Sequence, residues 1–585
     1  MRNWKLKTVD YSLTNKLANE LNVSIHIAKL LILRGVDSFV AAKNFFRPDL
    51  KNVHDPFLMK GMGEAVDRIN RAKSKNERIL VFGDYDVDGA TSAALIANYL
   101  EYCGCKTFIH IPDRFLEGYG PNERALKGLH EKGAELILTV DCGISSFEPL
   151  KAMSSVNLDL IVIDHHIPDT ILPPAYAIIN PKRIDTQKGF EDLCAAGVSF
   201  IFLIGLNREL RRKGFFRNKE EPDLFKFLDL VALGTVCDVV PLKGLNRAFV
   251  KQGLSVMKKR ENLGIKSLCD VSKVNNQPNT QALGFSLGPR INAGGRIGNS
   301  ELGVYLLKET DEIKSLEIAC KLDDLNKKRR LLTAELEKSV IGQIEKIINI
   351  NNNVIPNAIV VSGNDFHEGI IGIVAGKMKE LYNRPVCVIS INQDGICKGS
   401  GRSINGIPLG DIILEASKLK IIYSGGGHDM AAGFTVKQDK INEFSDFLID
   451  KVNSLMNKEI PKVKHFAASV IPISGCTIEL AEWLEDLGPW GTDMEEPKFI
   501  IPNSKISSLR KFGSNKEHIS FYITDRSSTK LKVKKFNILN SPLNKIFDNY
   551  ENINLSFLGR LNIDTWNNSK SLEMMLDDII YADDA

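Results

Sequence analysis

Three aspartates alternate with other residues in the stretch VFGDYDVDGATSAAL, namely Asp84, Asp86 and Asp88. Their spacing and the glycine after them match the first half of an EF-hand calcium loop. That loop also requires a preceding helix and a glutamate at its twelfth position, where this chain has Leu95. The preceding run RILVF, residues 78–82, is β-branched and aromatic and predicts a buried strand instead. Because neighbouring carboxylates repel one another, a different cation or a phosphate-bound metal is the better interpretation.

Further acidic and histidine residues follow other apolar runs. The run ELILTV leads to the motif DCG, LDLIVI leads to DHH, and another apolar stretch precedes the aspartate of GTVCDVVPL; the residues are Asp141, Asp164, His165, His166 and Asp238. In an open parallel sheet the carboxyl ends of the strands share one edge, where ligands bind. The sequence therefore predicts that these side chains converge there.

The composition of this predicted cluster indicates which metal it would hold. Oxygen ligands dominate it, with one or two imidazoles, which suits Mn²⁺ or Mg²⁺ better than zinc. It has enough ligands for two ions, and paired ions of this kind hydrolyse phosphoesters. Taken singly, each motif has an ordinary alternative, since an aspartate after a strand is usually a helix N-cap and DHH or DCG could be surface loops. Their occurrence at successive strand ends favours a metal centre.

The elements that would position this cluster form an α/β architecture. Short apolar strands at residues 78–82, 135–140, 158–163 and 175–180 alternate with helical stretches, as in a parallel sheet. An amphipathic stretch from about residue 309 to 348 predicts a connecting helix, and a second α/β unit runs from about Pro356 to Asn453. We divide the chain into a helical lead-in (1–50), a first α/β domain with the acidic motifs (51–305), the connecting helix (306–350), a second α/β domain (351–460) and a β-rich domain (461–585).

The region after about Val463 has short alternating strands and a basic middle. Residues 505–536 carry many more basic than acidic residues, with aromatic residues between them. This pattern fits a surface for single-stranded nucleic acid, because every base has a face that can stack. A small β-domain with a solvated basic face fits equally well. The candidate surface residues are Lys511, Phe512, Lys516, Phe521 and Tyr522.

Two further expectations concern this C-terminal region. Its acidic end, LDDIIYADDA, is expected to be a solvated tail. Truncation near Val463 is expected to leave a folded enzyme that still cleaves short oligonucleotides.

The bulk composition excludes several classes of protein. With 43% hydrophobic and 25% charged residues, the chain is an ordinary globular protein, and 585 residues suggest three or four domains. A net charge of +4 does not by itself demand a polyanionic partner. The ten cysteines show no zinc-binding spacing and are expected to be reduced. We expect a cytoplasmic protein without membrane spans.

The ordered motifs DYDVDG, DCG, DHH and GTVCDVVPL resemble those of the DHH phosphoesterase superfamily, and the later GGGHDMAAGF resembles its second, substrate-binding domain (DHHA1). Three other motifs, IPDRFLEGYG, GPRINAGGRIG and GSGRS, are similar to one branch, the RecJ exonucleases. The resemblance covers roughly residues 50–570. It implies a parallel-sheet DHH domain, a long helix, a DHHA1-like α/β domain and a C-terminal β-barrel of the OB-fold type.

The resemblance also implies roles for single residues. The metal ligands would be Asp84, Asp86, Asp88, Asp141, His165 and Asp238, with Asp141 bridging two ions. His166 would lie beside the scissile phosphate, and Asp164 would orient an imidazole. The residues around the 5′ phosphate would be Arg114, Ser400 and Arg402, with Arg290 or Arg296 and His428 as further phosphate contacts.

The activity implied is 5′-to-3′ exonucleolytic digestion of single-stranded DNA to mononucleotides, in repair and recombination. The implied partners are single-stranded DNA, a single-strand-binding protein and a helicase, and the protein is expected to be a monomer. In one departure, Asp493, Met494 and Glu495 stand where the family has Gly-Asn-Pro, which adds acid to a surface expected to favour DNA. The alternatives are a small-substrate DHH phosphodiesterase or pyrophosphatase, which would not need the C-terminal domain, and a binding protein without activity, which would not need every ligand.

Overall fold

The computed structural model describes residues 3–48, 50, 53–156, 158–275, 277–456, 464–539, 541–548, 550, 551, 553–564 and 569–581. A short strand and three helices come first, and side chains of Asp10, Ser24 and Ser38 cap the helices by accepting backbone N–H groups. These elements are β1 (Asn3–Leu6), α1 (Tyr11–Leu21), α2 (Ile25–Ile32) and α3 (Phe39–Phe46).

A five-stranded parallel sheet forms the centre of the next unit, in the order β3-β2-β4-β5-β6. Its strands are β2 (Arg78–Gly83), β3 (Lys106–His110), β4 (Leu136–Val140), β5 (Asp159–Ile163) and β6 (Ala177–Ile179). The central strands are continuous apolar runs because helices cover both faces of the sheet. The four predicted strands are confirmed, whereas the half-exposed edge strand β3 escaped prediction.

Helices surround this sheet and continue beyond it. They are α4 (Met62–Lys75), α5 (Val87–Tyr102), α6 (Glu123–Glu131), α7 (Phe147–Met153), α8 (Ala195–Arg212), α9 (Leu228–Cys237), α10 (Gly244–Met257), α11 (Leu263–Val271), α12 (Thr280–Ala282), α13 (Gly288–Ile297) and α14 (Leu302–Lys308). A π-helical turn, Leu283–Leu287, joins α12 to α13. The main hydrophobic core lies between the sheet and these helices.

The predicted connecting helix is present as α15 (Glu312–Ile350). Its 39 residues span roughly 58 Å at ~1.5 Å per residue. Ala319 and Leu322, near its start, belong to the core of the catalytic unit, whereas Val340 and Ile344 belong to the core of the following unit. The helix therefore joins two separate cores.

The second α/β unit contains a mixed five-stranded sheet in the order β10-β11-β9-β8-β7. Its elements are β7 (Ile359–Gly363), α16 (Glu368–Tyr382), β8 (Val386–Ser390), β9 (Ile396–Arg402), α17 (Leu409–Lys418), β10 (Ser424–His428), β11 (Ala431–Lys437) and α18 (Ile441–Leu455). Strand β9 runs antiparallel to β8, so its last residue, Arg402, pairs with Val386 at the start of β8.

The C-terminal region forms a closed five-stranded barrel, because β14 pairs with β17 as well as with β15. Its elements are β12 (Lys464–Ala467), β13 (Ser469–Val470), α19 (Ile478–Leu487), β14 (Phe499–Phe512), β15 (His518–Thr524), β16 (Lys530–Lys535), β17 (Leu555–Asp564) and β18 (Ser571–Tyr581). The predicted OB-type barrel is therefore confirmed. Helix α19 was not predicted.

The two ends of the chain pack together. Strand β1 pairs in parallel with β12, and the side chains of α1 and α2 share one hydrophobic core with α19 and the barrel. The expected lead-in is thus part of the C-terminal unit. The expected acidic tail is also wrong in part, because residues 576–581 belong to β18, where Asp578 is buried and accepts a hydrogen bond from Trp4 Nε1 at 2.9 Å.

Two other features bear on the sequence expectations. The proposed boundary between residues 460 and 461 lies outside the described residues, as do the last four residues of the acidic end. Across the described part of the chain, every helix is too short or too polar to cross a lipid bilayer.

Candidate active site

The three alternating aspartates lie in the turn between β2 and α5. Asp86 is the N-cap of α5, and its Oδ1 accepts the N–H groups of Asp88 at 2.9 Å and Gly89 at 3.1 Å. A Cβ atom on Gly89 would lie 2.4 Å from the carbonyl oxygen of Asp84, so only glycine allows the turn to close this tightly. The tight turn holds all three carboxylates at the carboxyl edge of the sheet.

Neighbouring helices hold two of the predicted ligands, Asp88 and Asp238, at this turn. The carboxylate of Asp88 accepts the N–H groups of Ala195 at 2.6 Å and Ala196 at 2.9 Å, in the first turn of α8. Asp238 follows the last residue of α9. Gly234 allows that helix to pack closely against Asp88, since a Cβ atom on Gly234 would lie 2.7 Å from Asp88 Oδ1. A helix, rather than a strand end, therefore delivers Asp238 to the cluster.

Backbone strain marks two positions in this cluster. Asp141, directly after β4, has φ +61°, and Val239, directly after Asp238, has φ +63°. Positive φ is rare for residues other than glycine, and unusually so for a β-branched valine. Such strain persists only where surrounding structure enforces it, and it concentrates at functional sites.

The predicted ligands do converge. His165 Nε2 lies 3.2 Å from Asp141 Oδ1, 3.6 Å from Asp238 Oδ2 and 3.9 Å from Asp88 Oδ2. Three sets of side chains each have ligand atoms within 4.8 Å of one another. The first set is Asp84, Asp86 and Asp141, and the second is Asp88, His165 and Asp238. The third set is Asp141, His165 and His166. Asp141 and His165 each belong to two sets, so they connect two adjacent groups of oxygen and nitrogen donors.

Several donor atoms at this site lack a hydrogen-bond partner in the described part of the chain. They are Oδ1 of Asp84, Oδ1 of Asp141, Oδ2 of Asp238 and both ring nitrogens of His165, and all are buried. Buried polar atoms are normally satisfied, so such a group of unsatisfied atoms indicates a bound ion. The oxygen-rich donor set fits Mn²⁺ or Mg²⁺.

Burial and mutual repulsion shift the pKa values of these groups. Burial, with the charges of Asp88, Asp86 and Asp84, raises the pKa of Asp141 well above its usual range. Burial and the charges of Asp88 and Asp86 raise the pKa of Asp238 to about 9. Burial lowers the pKa of His165 to about 3, so its imidazole is neutral and available as a ligand. Without a cation, the carboxylates cannot all be ionised at neutral pH.

The remaining residues of the DHH motif form a hydrogen-bonded pair. Asp164 is fully buried, and its Oδ1 lies 2.8 Å from Nδ1 of His166 while its Oδ2 accepts the N–H of Ile144 at 3.0 Å. Burial opposes the charged imidazolium, but the hydrogen bond and charge of Asp164 raise the pKa of His166. Asp164 therefore orients the imidazole of His166, whose Nε2 has no hydrogen-bond partner among the described residues.

Tyr119 contacts the Asp164–His166 pair, and the sequence did not predict a role for it. Its hydroxyl lies 3.3 Å from His166 Nδ1 and donates to the carbonyl oxygen of Asp141 at 3.1 Å. It lies within the motif IPDRFLEGYG, so the motif was recognised but this residue was not.

The predicted phosphate-binding residues lie where the two α/β units meet. Arg402 donates from Nη1 to Ser400 Oγ at 3.2 Å, and a Cβ atom on Gly372 of α16 would lie 2.8 Å from that Oγ. Arg296, at the end of α13, donates to the carbonyl oxygen of Gly369 in the first turn of α16 at 3.1 Å. Arg114 lies over the ring of Tyr85, beside the three aspartates.

Electrostatic effects link these three arginines. Burial lowers the pKa of Arg296 to about 10, and the charges of Arg114, Arg329 and Arg402 contribute to that shift. Burial and the charge of Arg114 likewise lower the pKa of Arg402. The pocket therefore concentrates positive charge next to the acidic cluster. Arg329, on α15, was not predicted; the only signal for it was a basic run, KKRR, within the connecting helix.

Two other predicted contacts have different surroundings. Arg290 forms an ion pair with Asp323 at 2.9 Å and donates to the carbonyl oxygen of Ser286 at 2.6 Å. These partners occupy its guanidinium, so Arg296 is the better candidate for the phosphate contact. His428 is exposed at the end of β10, and it pairs with Ala431, which in turn pairs with Arg402. It therefore lies two strands from Arg402, at roughly 10 Å.

The candidate nucleic-acid surface needs one correction. Phe521 is 1% exposed and packs against Phe547 and Phe557 inside the barrel. Adjacent residues on a strand point to opposite faces, so Phe521 and Tyr522 cannot share a surface. Tyr522 is 41% exposed.

The other predicted residues of this surface lie at the tip of the β14–β15 hairpin. Lys511 and Lys516 are exposed there. Phe512 forms an edge-to-face cluster with His518 and Phe536, and Phe536 is 46% exposed.

The acidic departure in the linker before the barrel is balanced locally. Asp493 forms an ion pair with Lys243 at 2.7 Å, and Met494 is buried. The carbonyl oxygen of Glu495 accepts a hydrogen bond from Arg34 at 2.9 Å. This segment therefore connects the catalytic unit, the N-terminal helices and the barrel.

The fold and the site together define a DHH-type phosphoesterase. A model of the DHH family N-terminal domain matches residues 78–235, a DHHA1 domain model matches residues 353–454, and a RecJ OB domain model matches residues 468–578. The chain belongs to the RecJ family of single-stranded-DNA-specific exonucleases, as its relatives show.

Those relatives span most of the chain. The single-stranded-DNA-specific exonuclease RecJ of Bacillus subtilis is 33% identical over 582 residues, which cover 99% of this chain and 71% of that protein. RecJ of Haemophilus influenzae is 32% identical over 543 residues, which cover 92% of this chain and 93% of that protein.

Solved structures agree with this assignment. The crystal structure of RecJ in complex with Mn²⁺ from Thermus thermophilus superposes with a TM-score of 0.81 at 25% identity, over 99% of this chain and 79% of that one. A structure of exonuclease RecJ bound to manganese matches 69% of this chain and 96% of that one, with a TM-score of 0.58 at 30% identity. The site is accordingly a divalent-metal centre.

Proposed function

We propose that the protein degrades single-stranded DNA from its 5′ end, releasing 5′-mononucleotides by metal-dependent hydrolysis, in DNA repair and recombination. The observation that carries this proposal is that two sites of opposite charge lie next to each other. An acidic cluster with unsatisfied ligand atoms lies beside a pocket of arginines at the junction of the two α/β units. The first suits the reaction and the second suits recognition of a terminal phosphate.

The metal centre would take two Mn²⁺ or Mg²⁺ ions, with Asp141 shared between them. The proposed ligands are Asp84, Asp86, Asp88, Asp141, His165 and Asp238. When bound, two such ions supply an activated water and neutralise the charge that develops on the phosphate. The protein's own contribution is a set of carboxylates that are already held in place by backbone N–H groups.

His166 would contact the scissile phosphate. Its Nδ1 is held by Asp164 and its raised pKa favours the imidazolium form, which donates a strong hydrogen bond to a phosphate oxygen. Because the Asp164 carboxylate is fixed by three backbone N–H groups, the imidazole is oriented before the substrate arrives.

The polarity would come from the pocket formed by Arg114, Arg296, Ser400 and Arg402. A metal centre alone can cut a strand approached from either end, so a site for one terminus is needed. Arginine forks bind a terminal phosphate bidentately, and the hydroxyl of Ser400 lies beside them, against Gly372 of α16. His428 would contact a phosphate further along the strand.

The barrel would hold the strand that leads to this centre. Lys511 and Lys516 are exposed and Phe512 is half-buried at the β14–β15 tip, and Tyr522 is exposed further along β15. These cationic and aromatic side chains suit phosphate contacts and base stacking. We also propose that the protein works in the cytoplasm as a monomer, with a single-strand-binding protein and a helicase as partners. Sedimentation analysis and affinity capture with these two proteins test those assignments.

The activity is tested with one single-stranded oligonucleotide in two preparations, one labelled at its 5′ end and the other at its 3′ end. With Mn²⁺, the 5′-labelled strand should release labelled mononucleotide at once, while the 3′-labelled strand should shorten progressively. Duplex DNA of the same sequence should resist. If the label order is reversed, the proposed polarity is wrong. If only a dinucleotide or pyrophosphate is hydrolysed, the protein is a small-substrate phosphoesterase.

A further inference from the structure

Four arginines from four different elements meet at the phosphate pocket. Arg114 belongs to the loop after β3, Arg296 to α13, Arg329 to the connecting helix α15 and Arg402 to β9. Among the described residues, none of the four has a carboxylate within ion-pair distance. Three of them were expected from sequence motifs, and Arg329 was not.

The packing of α15 against α13 places Arg329 at this pocket. Leu322 of α15 packs against Gly294 of α13, and Leu325 packs against Gly298, which follows α13. A Cβ atom on Gly294 would lie 3.5 Å from the Leu322 side chain, and one on Gly298 would lie 2.7 Å from the Leu325 side chain. Arg329 follows Leu325 by one turn on the same face of the helix. That face continues toward Arg296, which is next to α16.

The hydrogen bonds of Arg329 leave much of its guanidinium available. Its Nε and Nη2 both donate to Oδ1 of Asn326, at 3.1 Å and 2.9 Å. Asn326 is 5% exposed and lies one turn earlier on α15, so it holds the guanidinium plane in a fixed orientation. Nη1 and the second proton of Nη2 have no partner among the described residues.

Other buried arginines in this protein show how such a charge is usually balanced. Arg68 has two acidic partners, Glu77 and Asp159, and Arg290 has Asp323. Arg247 has no acid but donates to the carbonyl oxygens at the end of α19. The four arginines of the Arg329 cluster have no acidic partner among the described residues, and Arg296 and Arg402 each donate to a single carbonyl oxygen, of Gly369 and Gly401. Burial lowers the pKa of Arg296, and the charges of Arg114, Arg329 and Arg402 add to that shift. Such an arrangement is stabilised by a bound polyanion.

We propose that Arg329 binds the terminal 5′ phosphate together with Arg114, Arg296 and Arg402, and that Asn326 is its positioning residue. This inference rests on the proposed exonuclease function. A terminal phosphate monoester carries close to two negative charges at pH 7, whereas an internal phosphodiester carries one. Four unpaired arginines match the terminal group better than an internal one, and they tie both α/β units to it.

The test compares matched variants on strands with a 5′ phosphate and a 5′ hydroxyl. Arg329→Gln removes the charge and keeps a polar side chain, and Arg329→Lys keeps the charge without the fork. Arg330→Gln is the control, because Arg330 is the exposed neighbour on the same helix. Arg402→Gln is the reference for loss of the pocket. The measured quantity is the ratio of kcat/KM for the two strands.

Arg329→Gln should lower this ratio about tenfold or more, with the 5′-hydroxyl strand changed less than about threefold, since only the terminal phosphate loses a charge-assisted contact. Arg329→Lys should lie between Arg329→Gln and the wild type, and Arg330→Gln should match the wild type. A second readout is thermal stability. Without ligand, the Arg329→Gln variant should melt at or above the wild-type temperature because repulsion is relieved, yet gain less stability from added inorganic phosphate.

The outcomes separate this inference from the function itself. If Arg402→Gln lowers the ratio and Arg329→Gln does not, Arg329 is not part of the pocket, while the exonuclease proposal stands. An equal loss on both strands, or a lower melting temperature with an unchanged phosphate response, would make Arg329 a structural residue. If neither variant alters the ratio, the 5′-phosphate pocket lies elsewhere and this inference fails, whereas the exonuclease proposal is decided by the end-labelled strands.

Discussion

Asp141 shows, at the scale of one residue, how the active site fixes a ligand through its backbone and its surroundings together. Its N–H continues the sheet by donating to the carbonyl oxygen of Ile163 at 3.1 Å, and its φ of +61° then turns the side chain into the cluster. The carboxylate is buried beside four other aspartates, Asp84, Asp86, Asp88 and Asp238. A residue in this position is costly to the metal-free protein, and a bound cation offsets that cost.

Replacing Asp141 with alanine should therefore abolish hydrolysis while leaving the protein folded. We expect turnover to fall by at least about 100-fold, because the remaining ligands cannot hold two ions at the ~3.5–4 Å separation that this chemistry needs. Binding of single-stranded DNA without metal should change little. The measurement is Mn²⁺-dependent release of nucleotide, with exposed Asp439→Ala as a control. Retention of more than a tenth of wild-type turnover would refute the bridging role.

The raised pKa values of the cluster predict a pH dependence of metal stabilisation. A carboxyl whose pKa is higher in the folded state stabilises the metal-free protein below the unfolded value near 4. That stabilisation is lost as pH rises through the folded values, which burial and neighbouring carboxylates raise to about 6 for Asp88 and about 9 for Asp238. The metal-free protein should thus become less stable between about pH 4 and pH 9.

Added Mn²⁺ replaces the lost protons, so its effect on the melting temperature should be larger at pH 8 than at pH 6. Differential scanning fluorimetry with and without Mn²⁺ measures this difference. Asp238→Asn should flatten the pH dependence of the metal-free protein, because it removes a carboxyl whose pKa is raised to about 9. A metal effect that is equal at both pH values would contradict the proposed charge repulsion.

At the scale of elements, strand β15 shows what the sequence could and could not reveal. Its residues alternate strictly, with Ile519, Phe521 and Ile523 buried and Tyr522 exposed. The alternation was visible in the sequence HISFYIT, so Phe521 could have been assigned to the core by its period alone. Aromatic composition alone does not distinguish the buried face of a strand from its exposed face, and the prediction for Phe521 was wrong for that reason.

Phe521→Ala should destabilise the barrel by about 3–5 kcal/mol, the usual effect of deleting a fully buried aromatic ring. Urea denaturation followed by tryptophan fluorescence or by limited proteolysis measures this loss. Affinity for single-stranded DNA should be unchanged under conditions where the barrel is folded. Lys511→Ala is the comparison variant, and it should leave the stability unchanged and weaken the binding of single-stranded DNA. A loss of affinity in the folded Phe521 variant would return this residue to the binding surface.

Other strands and helices could be predicted from the sequence where a short run of neighbouring residues determined them. The strands of the central sheet are continuous apolar runs, and the acids at their ends were identified from spacing alone. Edge strand β3 lacks such a run because one side of it faces solvent. Arg329 lies on a helix whose basic residues look like an ordinary solvated face, so only the packing of α15 on α13 shows that it faces the pocket.

At the scale of the whole molecule, the two ends of the chain form one packed unit. Leu17 and Leu30 of the N-terminal helices share a core with Ile471 and Leu484, which are more than 400 residues away. Contacts between such distant segments leave no periodic or compositional signal. The sequence therefore indicated a lead-in before the catalytic domain and a separate domain after it, although these two parts cover each other's apolar faces.

This packing changes the expected result of removing the C-terminal unit. Truncation after residue 456 alone would expose the apolar faces of α1 and α2 and remove the strand that pairs with β1. A fragment of residues 53–456, which lacks both ends, should be more soluble and more stable than residues 1–456. The comparison uses expression yield, sedimentation and melting temperature. If residues 1–456 behave as well as the shorter fragment, the shared core contributes little.

The shorter fragment also tests the role of the barrel in binding. It retains the acidic cluster and the phosphate pocket, so it should cleave short oligonucleotides at saturating concentration. Its affinity for long single strands should fall, because stacking worth ~1–3 kcal/mol per base is lost. The dependence of log affinity on log salt should flatten by ~0.7 for each phosphate contact removed. The full chain is the reference, and Lys511→Ala within it should reproduce one such step. Equal affinity and equal salt dependence in the fragment and the full chain would show that the barrel does not bind DNA, and the exposed cluster at the β14–β15 tip would then be a solvated surface.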